Sequence, residues 1–513
     1  MQRSSTTSAR SVSIILLLAL AACTGNAPSD VAAPSAISLR NCRVANIDSE
    51  VKCATLEVIE NRETQQGRKI NLNIVVLPAG ARIKEADPIF LFAGGPGQAA
   101  SELAREAMAI LGGLNAKRDI VLIDQRGTGK SNGLNCKPAD PDAEDSIDPV
   151  SRDQIARKLL LECRDALMKR ADLTQYTTTI AMADIDAARA ALGYAKINLW
   201  GGSYGTRAAM EYLRRYPDHV RSVVLDGVAP ATMALPATFA RDAGAAFGKM
   251  LAACASETQC ATRFPRLKID IDEIFAALEK SPRKVMLANA LSGVPREIVI
   301  TKERVLMAVF SSLYVPEFAA LLPDSLTRAK LGDFAPLMSV TAAFGGFDEE
   351  KMFAGMRFSV VCAEDIPQIR RDPSMVIAPF GEIFVREFSK ACENWPTGVV
   401  PKDFALLPRS DKPVLILSGG LDPVTPPVFG DEAKKTLTNS LHLIANNVGH
   451  GVSSRGCAPR LIKKFIESAS VAELDGKCLD RLPRPMFYEP MREKGAVKTE
   501  SDEAAPRTHG ATK

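Results

Sequence analysis

One short stretch of the chain carries a serine in the setting that nucleophilic chemistry requires. Gly201-Gly202-Ser203-Tyr204-Gly205 reads G-x-S-x-G, with a strand-like apolar run at 197–200 before it and a helix-like segment at 207–216 after it. A strand–turn–helix of this kind is so tight that only small residues fit beside the serine, whose hydroxyl stays exposed above the helix N-terminus. The pattern predicts a nucleophile elbow at Ser203, although a bare G-x-S-x-G also arises by chance.

A serine hydroxyl needs a base, and the chain contains only four histidines. His219 ends the segment after the elbow, His442 lies in a predicted strand, and His509 lies in a polar C-terminal stretch. His450 remains, flanked by Gly449 and Gly451 in a loop after the last predicted core strand. Because a loop histidine there can turn its ring over the edge of the sheet, we predict His450 as the general base.

An acid that orients the histidine is expected between the serine and the histidine in hydrolases of this chain order. Asp422 directly follows a predicted strand at 413–418 and its Gly419-Gly420 turn. A buried carboxylate there would fix the imidazole tautomer and stabilise the imidazolium. The alternatives are a turn aspartate that caps the next helix, and Asp431 on that helix as the orienting acid.

A glycine-rich loop can supply backbone donors to a developing oxyanion. Phe92-Ala93-Gly94-Gly95-Pro96-Gly97 follows a predicted strand, and its backbone can approach a ligand closely. We predict that the N–H of Gly95 (or of Gly94) and that of Tyr204 form the oxyanion hole; a plain Gly-Pro turn is the alternative. This chemistry requires no cofactor and no metal.

The N-terminus indicates export. Residues 1–22 combine two arginines and no acidic residue with a short apolar run, which predicts a signal peptide. Leu20-Ala21-Ala22-Cys23 resembles the lipobox of bacterial lipoproteins, so Cys23 is the predicted lipidation site; ordinary signal cleavage beside an incidental cysteine is the alternative. Residues 23–37 then form a tether, and Thr24 in place of aspartate favours the outer membrane of the cell envelope, facing the periplasm.

The remaining ten cysteines are even in number, as expected where disulfides persist. No C-x-x-C pair or histidine cluster accompanies them, which argues against zinc; free buried thiols are the other alternative. They fall into sequence-near pairs, and we predict the bridges Cys42–Cys53, Cys136–Cys163, Cys254–Cys260, Cys362–Cys392 and Cys457–Cys478.

Composition is that of a folded globular enzyme, with 46% hydrophobic and 24% charged residues and a net charge of +4. Basic residues are not interleaved with aromatics, so nucleic acid is not an expected partner. The tail at 489–513 is polar, charged and aperiodic, and is predicted to be disordered. The oligomeric state does not follow from the sequence.

Short apolar runs rich in Val, Ile and Leu predict buried parallel strands, with helical segments at 151–169 and 179–192 between them. This alternation indicates an α/β fold with a mostly parallel sheet, and a mainly helical stretch at 231–358 is interpreted as a cap between core segments 38–230 and 359–488. Strand character returns at 357–361. The predicted core strands are 70–78, 88–93, 119–124, 196–200, 221–226, 413–418 and 440–445.

Three ordered motifs resemble those of prolyl iminopeptidases and tripeptidyl aminopeptidases: 93–97, Asp124-Gln125-Arg126-Gly127-Thr128-Gly129-Lys130-Ser131, and 201–205. The segments 176–179, 392–396 and 422–426, together with Gly449-His450-Gly451, resemble the tripeptidyl-aminopeptidase-like branch. The resemblance covers about residues 40–480 and implies an alpha/beta-hydrolase fold with an inserted helical cap. Ala93 stands where prolyl iminopeptidases usually have histidine, which points away from a proline-specific enzyme.

Exopeptidases of this group recognise a free N-terminal amine, and a cation in a closed pocket needs carboxylates. By resemblance, Glu364 and Asp365 lie at the boundary between cap and core, and we predict that they bind the amine. The alternatives are a solvated pair, or partners of Arg370 or Arg371.

These inferences together predict an exported serine hydrolase, lipid-anchored to a membrane, that cleaves short N-terminal pieces from peptide substrates. A carboxylesterase could use the same fold and triad, since neither selects the leaving group. A non-catalytic binding lipoprotein is the third alternative, against which the complete Ser–Asp–His order argues.

Overall fold

A computed structural model describes residues 37–136, 149–288, 293–343, 352–372, 374 and 380–490. The predicted signal peptide, Cys23, nearly all of the tether and the tail from residue 491 lie outside these residues. In the part of the chain that is described, no helix has the length and apolar character needed to cross a membrane.

The described strands form one nine-stranded sheet and one two-stranded hairpin. The large sheet contains Arg40–Cys42 (β1), Val51–Ile59 (β2), Lys69–Leu77 (β3), Ile89–Phe92 (β4), Ile120–Ile123 (β5), Ile197–Gly202 (β6), Val220–Asp226 (β7), Val414–Gly419 (β10) and Ser440–Ala445 (β11). Their order is β1-β2-β3-β5-β4-β6-β7-β10-β11. The pairs from β1 to β5 are antiparallel, and all pairs from β5 through β4 to β11 are parallel.

Helices cover both faces of this sheet and form most of the insertion. In the described chain they are Ala104–Asn115 (α1), Pro149–Met168 (α2), Thr178–Ala191 (α3), Tyr204–Arg215 (α4), Phe239–Ser256 (α5), Thr258–Arg263 (α6), Leu267–Lys280 (α7), Lys302–Leu313 (α8), Pro316–Ala319 (α9), Leu322–Lys330 (α10), Ala335–Ala343 (α11), Ala354–Glu364 (α12), Ile366–Arg371 (α13), Gly381–Ala391 (α14), Pro427–Lys434 (α15), Ala458–Ser468 (α16) and Lys477–Asp480 (α17). Short 3-10 turns occupy Ala100–Leu103, Leu173–Gln175 and Pro217–His219.

Alternate residues of the central strands pack into different layers, as the two-residue period of a strand requires. Phe90 and Phe92 pack with α3 and α4 on one face, whereas Ile89 and Leu91 pack with α1 and α16 on the other. The sheet is therefore buried on both sides, which is why its parallel strands read as continuous apolar runs. The predicted α/β fold is confirmed, and the carboxyl ends of the parallel strands meet at one edge.

All seven predicted core strands are present, but the strand expected at 357–361 is wrong. Those residues lie in α12, most of whose side chains are buried. A short apolar run does not distinguish a buried helix from a strand. Because α12 is buried on nearly all sides, its composition resembles that of a buried strand. The edge strand β1 and its neighbour β2 were not predicted; β1 has only three residues, and β2 alternates between buried and exposed positions.

The insertion between β7 and β10 is longer than the predicted cap. After β7, the next described strand of the large sheet begins at Val414, so the segment predicted to resume the core at 359 starts with the helices α12 to α14. The insertion also contains an antiparallel hairpin, Arg283–Ala288 (β8) with Pro295–Ile300 (β9), which was not predicted.

The ten cysteines after Cys23 form five disulfides in the described chain, in the same pairs as expected from their spacing. The Cα–Cα distances lie between 5.1 and 6.3 Å, within the usual range for a disulfide. Cys42–Cys53 ties the edge strand β1 to β2, and Cys362–Cys392 ties α12 to the end of α14. Each bridge therefore staples elements that are close in sequence.

Candidate active site

Ser203 occupies a strained turn between β6 and α4. Its φ is 56° and its ψ is −127°, a conformation that a residue with a side chain rarely adopts. The flanking glycines are required by close backbone approach: a Cβ would lie 2.3 Å from the Gly205 carbonyl oxygen at Gly201, and 2.1 Å from that of Phe92 at Gly205. Ser203 is half-buried, so part of its surface remains exposed.

His450 and Asp422 form a hydrogen-bonded pair at the same edge of the sheet. His450 Nδ1 lies 2.8 Å from Asp422 Oδ2, and the side chains are 18% and 0% exposed. Because a carboxylate only accepts hydrogen bonds, Nδ1 carries the proton and Nε2 is left as the acceptor. The backbone N–H groups of Val424 and Thr425 and the Thr425 hydroxyl also donate to Asp422, which holds the carboxylate in place.

The two charges of this pair stabilise each other. Burial alone would lower the pKa of His450, but the charge and hydrogen bond of Asp422 outweigh it, and the pKa is raised. Burial likewise acts to raise the pKa of Asp422, but the His450 charge and the hydrogen bonds of both His450 and Thr425 lower it overall. Asp422 is therefore held ionised and favours the imidazolium form of His450.

Asp226, at the end of β7, connects the serine turn with the histidine loop. Its backbone oxygen accepts from the Ser203 N–H at 2.9 Å. Its buried carboxylate accepts from Val452 N–H at 2.9 and 3.0 Å and from Ser453 N–H at 2.7 Å. The sequence prediction missed this residue, although an aspartate at the carboxyl end of a predicted strand was a usable signal.

The insertion contacts the histidine loop through Tyr314, immediately after α8. The Tyr314 carbonyl oxygen accepts from the His450 N–H at 2.9 Å, and the two rings meet edge-on with centroids 5.3 Å apart. A Cβ at Gly449 would lie 2.3 Å from the Tyr314 oxygen, so the glycine before the histidine is needed for this contact. Nothing in the local sequence around Tyr314 predicted it.

The glycine-rich loop after β4 lies directly against the serine. A Cβ at Gly94 would be 3.3 Å from the Ser203 Cβ. Gly95 and Gly97 have φ values of 109° and 111°, which favour glycine. The N–H of Tyr204, the first residue of α4, belongs to the helix turn whose donors have no intrahelical acceptor. These are the backbone groups that the sequence predicted as oxyanion donors.

Glu364 and Asp365 are placed differently from the expected amine-binding pair. They are 4% and 0% exposed and contact Arg207 of α4 rather than Arg370 or Arg371. All four carboxylate oxygens already accept hydrogen bonds, from Arg207, from Thr178 or from the Leu235 N–H. An amine could bind either residue only by displacing these donors, so the placement does not support the expected role.

A second histidine also has serine and aspartate partners. His442 Nε2 lies 2.9 Å from Ser418 Oγ, and its Nδ1 lies 2.9 Å from Asp431 Oδ1. Asp431, the rival to Asp422, thus pairs with His442 and not with His450. Within the described residues, no group of three or more His, Cys, Asp or Glu side chains is arranged to hold a metal ion.

Comparisons with known proteins agree with the fold. A model described as alpha/beta hydrolase fold matches residues 87–263, and one described as TAP-like protein matches residues 376–478. Serine protease Hip1 of Mycobacterium tuberculosis is 24% identical over 487 residues, which cover 85% of this chain and 90% of that protein. Tripeptidyl aminopeptidase of Streptomyces lividans is 29% identical over 209 residues, or 38% of this chain and 39% of that protein.

A third relative, the proline iminopeptidase of Xylella fastidiosa (strain Temecula1), is 28% identical over 141 residues, which cover 28% of this chain and 32% of that protein. The resemblance drawn from the motifs is therefore confirmed. The chain has the alpha/beta hydrolase fold with a TAP-like region at residues 376–478, and it is a hydrolase whose relatives include serine peptidases.

Proposed function

We propose that this hydrolase is an aminopeptidase that removes short N-terminal pieces from peptides through an acyl-enzyme on Ser203. The observation that carries the proposal is the His450–Asp422 hydrogen bond of 2.8 Å, in a loop that Asp226 joins to a serine held at a φ of 56°. Relatives named as tripeptidyl aminopeptidase and proline iminopeptidase support peptides as the substrate class.

In the proposed reaction, Ser203 Oγ attacks the scissile carbonyl carbon while His450 Nε2 takes the hydroxyl proton. The tetrahedral oxyanion accepts hydrogen bonds from the N–H groups of Gly95 and Tyr204. His450 then gives its proton to the leaving amine, and the acyl group stays on Ser203. Water, deprotonated by the same nitrogen, attacks the ester carbonyl, and His450 returns the proton to Ser203 Oγ as the bond to the N-terminal piece breaks. Asp422 stays ionised and accepts the hydrogen bond from Nδ1–H throughout.

The proposal includes export and attachment to a membrane through lipidated Cys23, in the bacterial envelope on the periplasmic side. Five disulfides support an oxidising compartment, since such bridges are rare where thiols are kept reduced. Mass spectrometry of the mature N-terminus tests it: an unmodified N-terminal residue other than Cys23 would exclude the lipid anchor.

The free amine separates an aminopeptidase from the alternative, a carboxylesterase on the same fold. We expect protein lacking residues 1–23 to hydrolyse a short peptide amide with a free N-terminus at least about tenfold faster than its acetylated form. Recognition of a cation contributes roughly 1.5–3 kcal/mol, which corresponds to that ratio or more.

The measurement is kcat/KM for the free and acetylated members of one amide series, with a neutral ester as reference. Turnover of the ester together with equal, slow cleavage of both amides would make the protein an esterase. Cleavage of both amides at equal and high rates would instead make it an endopeptidase.

A further inference from the structure

A buried cluster of polar side chains surrounds the first turn of α4, directly behind Ser203. It consists of Tyr204 and Arg207 from α4, Thr178 from the start of α3, Glu364 at the end of α12, and Asp365 directly after it. All five are buried, with exposures between 0% and 4%. The proposed reaction uses only the backbone N–H of Tyr204, so the side chains of this cluster have no part in the acyl-transfer steps themselves.

A chain of hydrogen bonds runs from Glu364 to the Tyr204 hydroxyl. Glu364 accepts from the Thr178 N–H at 2.7 Å and from Thr178 Oγ1 at 2.9 Å. Thr178 Oγ1 lies 2.6 Å from Tyr204 Oη, which also accepts from Gln125 Nε2 at 3.1 Å. Because Gln125 can only donate here, every proton has an acceptor when Tyr204 donates to Thr178 and Thr178 donates to Glu364. The carboxylate therefore sets the direction of the chain.

The same helical turn is held at a second point by Arg207. Its Nη1 contacts Asp365 at 3.0 and 3.1 Å and Glu364 at 3.4 Å. Its Nη2 donates to the carbonyl oxygens of Met233 at 2.8 Å and Pro230 at 3.3 Å, in the chain after β7. The first turn of α4 is thus fixed to α12 and to the chain after β7.

Burial of two acids beside one arginine costs free energy and raises the pKa values of both acids. Burial raises the pKa of Glu364 to about 7 and that of Asp365 to about 6, against the opposing charge of Arg207. Burying such groups is often neutral or unfavourable compared with apolar residues of similar volume. Stability alone therefore does not explain this arrangement next to the nucleophile.

We propose that Glu364, acting through Thr178, is a positioning residue for Tyr204 and its oxyanion-binding N–H. The proposal rests on the oxyanion role given to Tyr204 under the proposed function. Strained turns persist only where their surroundings over-determine them, and catalytic donors act only when held within about 0.5 Å of the productive position. Anchoring the ring of Tyr204 fixes the backbone of the residue that follows Ser203.

Thr178 gives the sharpest test, because valine has its shape without the hydroxyl. For Thr178→Val we expect about tenfold slower labelling of Ser203 by a fluorophosphonate and a similar fall in kcat on a neutral ester, with KM within about twofold. Thr178→Ser restores the hydroxyl and should restore both rates. Both readouts are independent of whether natural substrates are peptides or esters.

Thr179→Val is the matched control. Thr179 is the next residue of α3 and also buried, and its hydroxyl donates to Glu211 at 2.8 Å and not to Tyr204. We expect this variant to lose stability but to label at the wild-type rate. Equal slowing by both valine variants would overturn the proposal, because it would indicate a general effect of unsatisfied buried groups. Wild-type labelling of folded Thr178→Val would overturn it as well.

Glu364→Gln separates positioning from amine binding, since glutamine has the same shape without the charge. The positioning role predicts about tenfold lower kcat on the ester and on a free-amine peptide alike, with unchanged KM. A rise in KM confined to free-amine peptides would overturn it in favour of amine binding. If the wild-type protein is not labelled at Ser203, the proposed function fails first, and that result is distinct from either outcome.

Discussion

Two serine–histidine–aspartate groups lie in neighbouring parts of one sheet, and only one has the features of an active site. Ser418, His442 and Asp431 are joined by hydrogen bonds of 2.9 Å on both imidazole nitrogens. The catalytic candidate has His450 and Asp422 at 2.8 Å, next to the turn of Ser203. Judged by hydrogen bonding alone, the first group is at least as complete.

The two groups differ in the exposure of the serine and in the burial of the aspartate. Ser418 lies within the regular strand β10 with no exposed surface, so no carbonyl carbon can reach its oxygen. Its aspartate, Asp431, is 62% exposed, whereas Asp422 is fully buried. The two groups are therefore distinguished by whether a substrate can reach the serine and whether the aspartate is buried. Hydrogen bonds among the three side chains do not distinguish them.

The titration of the two histidines differs in the same way. Burial lowers the pKa of His442 despite the opposing effect of exposed Asp431. For His450, the buried carboxylate of Asp422 overcomes the effect of burial, and the pKa is raised. An aspartate in solvent is a weak electrostatic partner because water screens its charge.

The largest expected difference concerns the two serines. Ser203→Ala should lower kcat by about a millionfold, as for nucleophile loss in a triad, whereas Ser418→Ala should leave kcat within about twofold. The check is kcat on a neutral ester together with fluorophosphonate labelling of each variant. Loss of labelling in folded Ser418→Ala, or its persistence in Ser203→Ala, would break the comparison.

The two aspartates should differ next. Asp422→Asn is expected to lower kcat by about 10,000-fold, because an amide in its place favours the wrong imidazole tautomer. Asp431→Asn should change kcat by less than about twofold, since its exposed charge adds little to any pair. Steady-state kinetics on the same ester decide the matter, with circular dichroism to establish that both variants are folded. Similar losses in both would mean that the His442 group contributes to catalysis.

The smallest difference is in pH dependence. We expect kcat/KM of the wild type to fall as the pH drops through the raised pKa of His450, since the imidazolium cannot accept the serine proton. His442→Gln should have the same profile. A shift of the midpoint in this variant would contradict the assignment of the titration to His450.

Stability should respond to the two histidines with opposite signs. His442 has a lowered pKa, so the unfolded state binds its proton first, and stability is lost as the pH falls below about 6.5. His450 has a raised pKa, so it adds stability below about pH 6.5, which is lost as the pH rises through the folded value. The urea midpoint of His442→Gln should therefore fall less than that of the wild type between about pH 7.5 and about pH 5.

Much of the sheet and the three candidate catalytic residues could be predicted, because they leave local patterns. Continuous apolar runs mark strands buried on both faces, and the glycines at 201 and 205 mark a turn in which a Cβ would collide with backbone. The pairing of Arg207 with Glu364 and Asp365 joins residues more than 150 positions apart. A contact of this kind leaves no local pattern, so Glu364 was predicted as an amine-binding residue from its charge and from the family resemblance at the cap boundary.

The prediction was weakest where one composition fits two structures. Residues 357–361 carry the apolar character of a strand because α12 is buried on nearly all sides. Tyr314 contacts the His450 N–H through its backbone carbonyl oxygen, whose position the side-chain type does not encode. Ser418 and His442 likewise meet only because β10 and β11 pair in the register that sets Ile416 opposite His442.

The insertion between β7 and β10 also separates the three candidate catalytic residues in the order of their synthesis. Ser203 and its turn are complete when β7 leaves the ribosome, but Asp422 and His450 follow only after residues 227–413. At roughly 5–20 residues per second, that delay is on the order of 10–40 seconds. The growing chain thus contains the candidate nucleophile well before its candidate base and orienting acid have been synthesised.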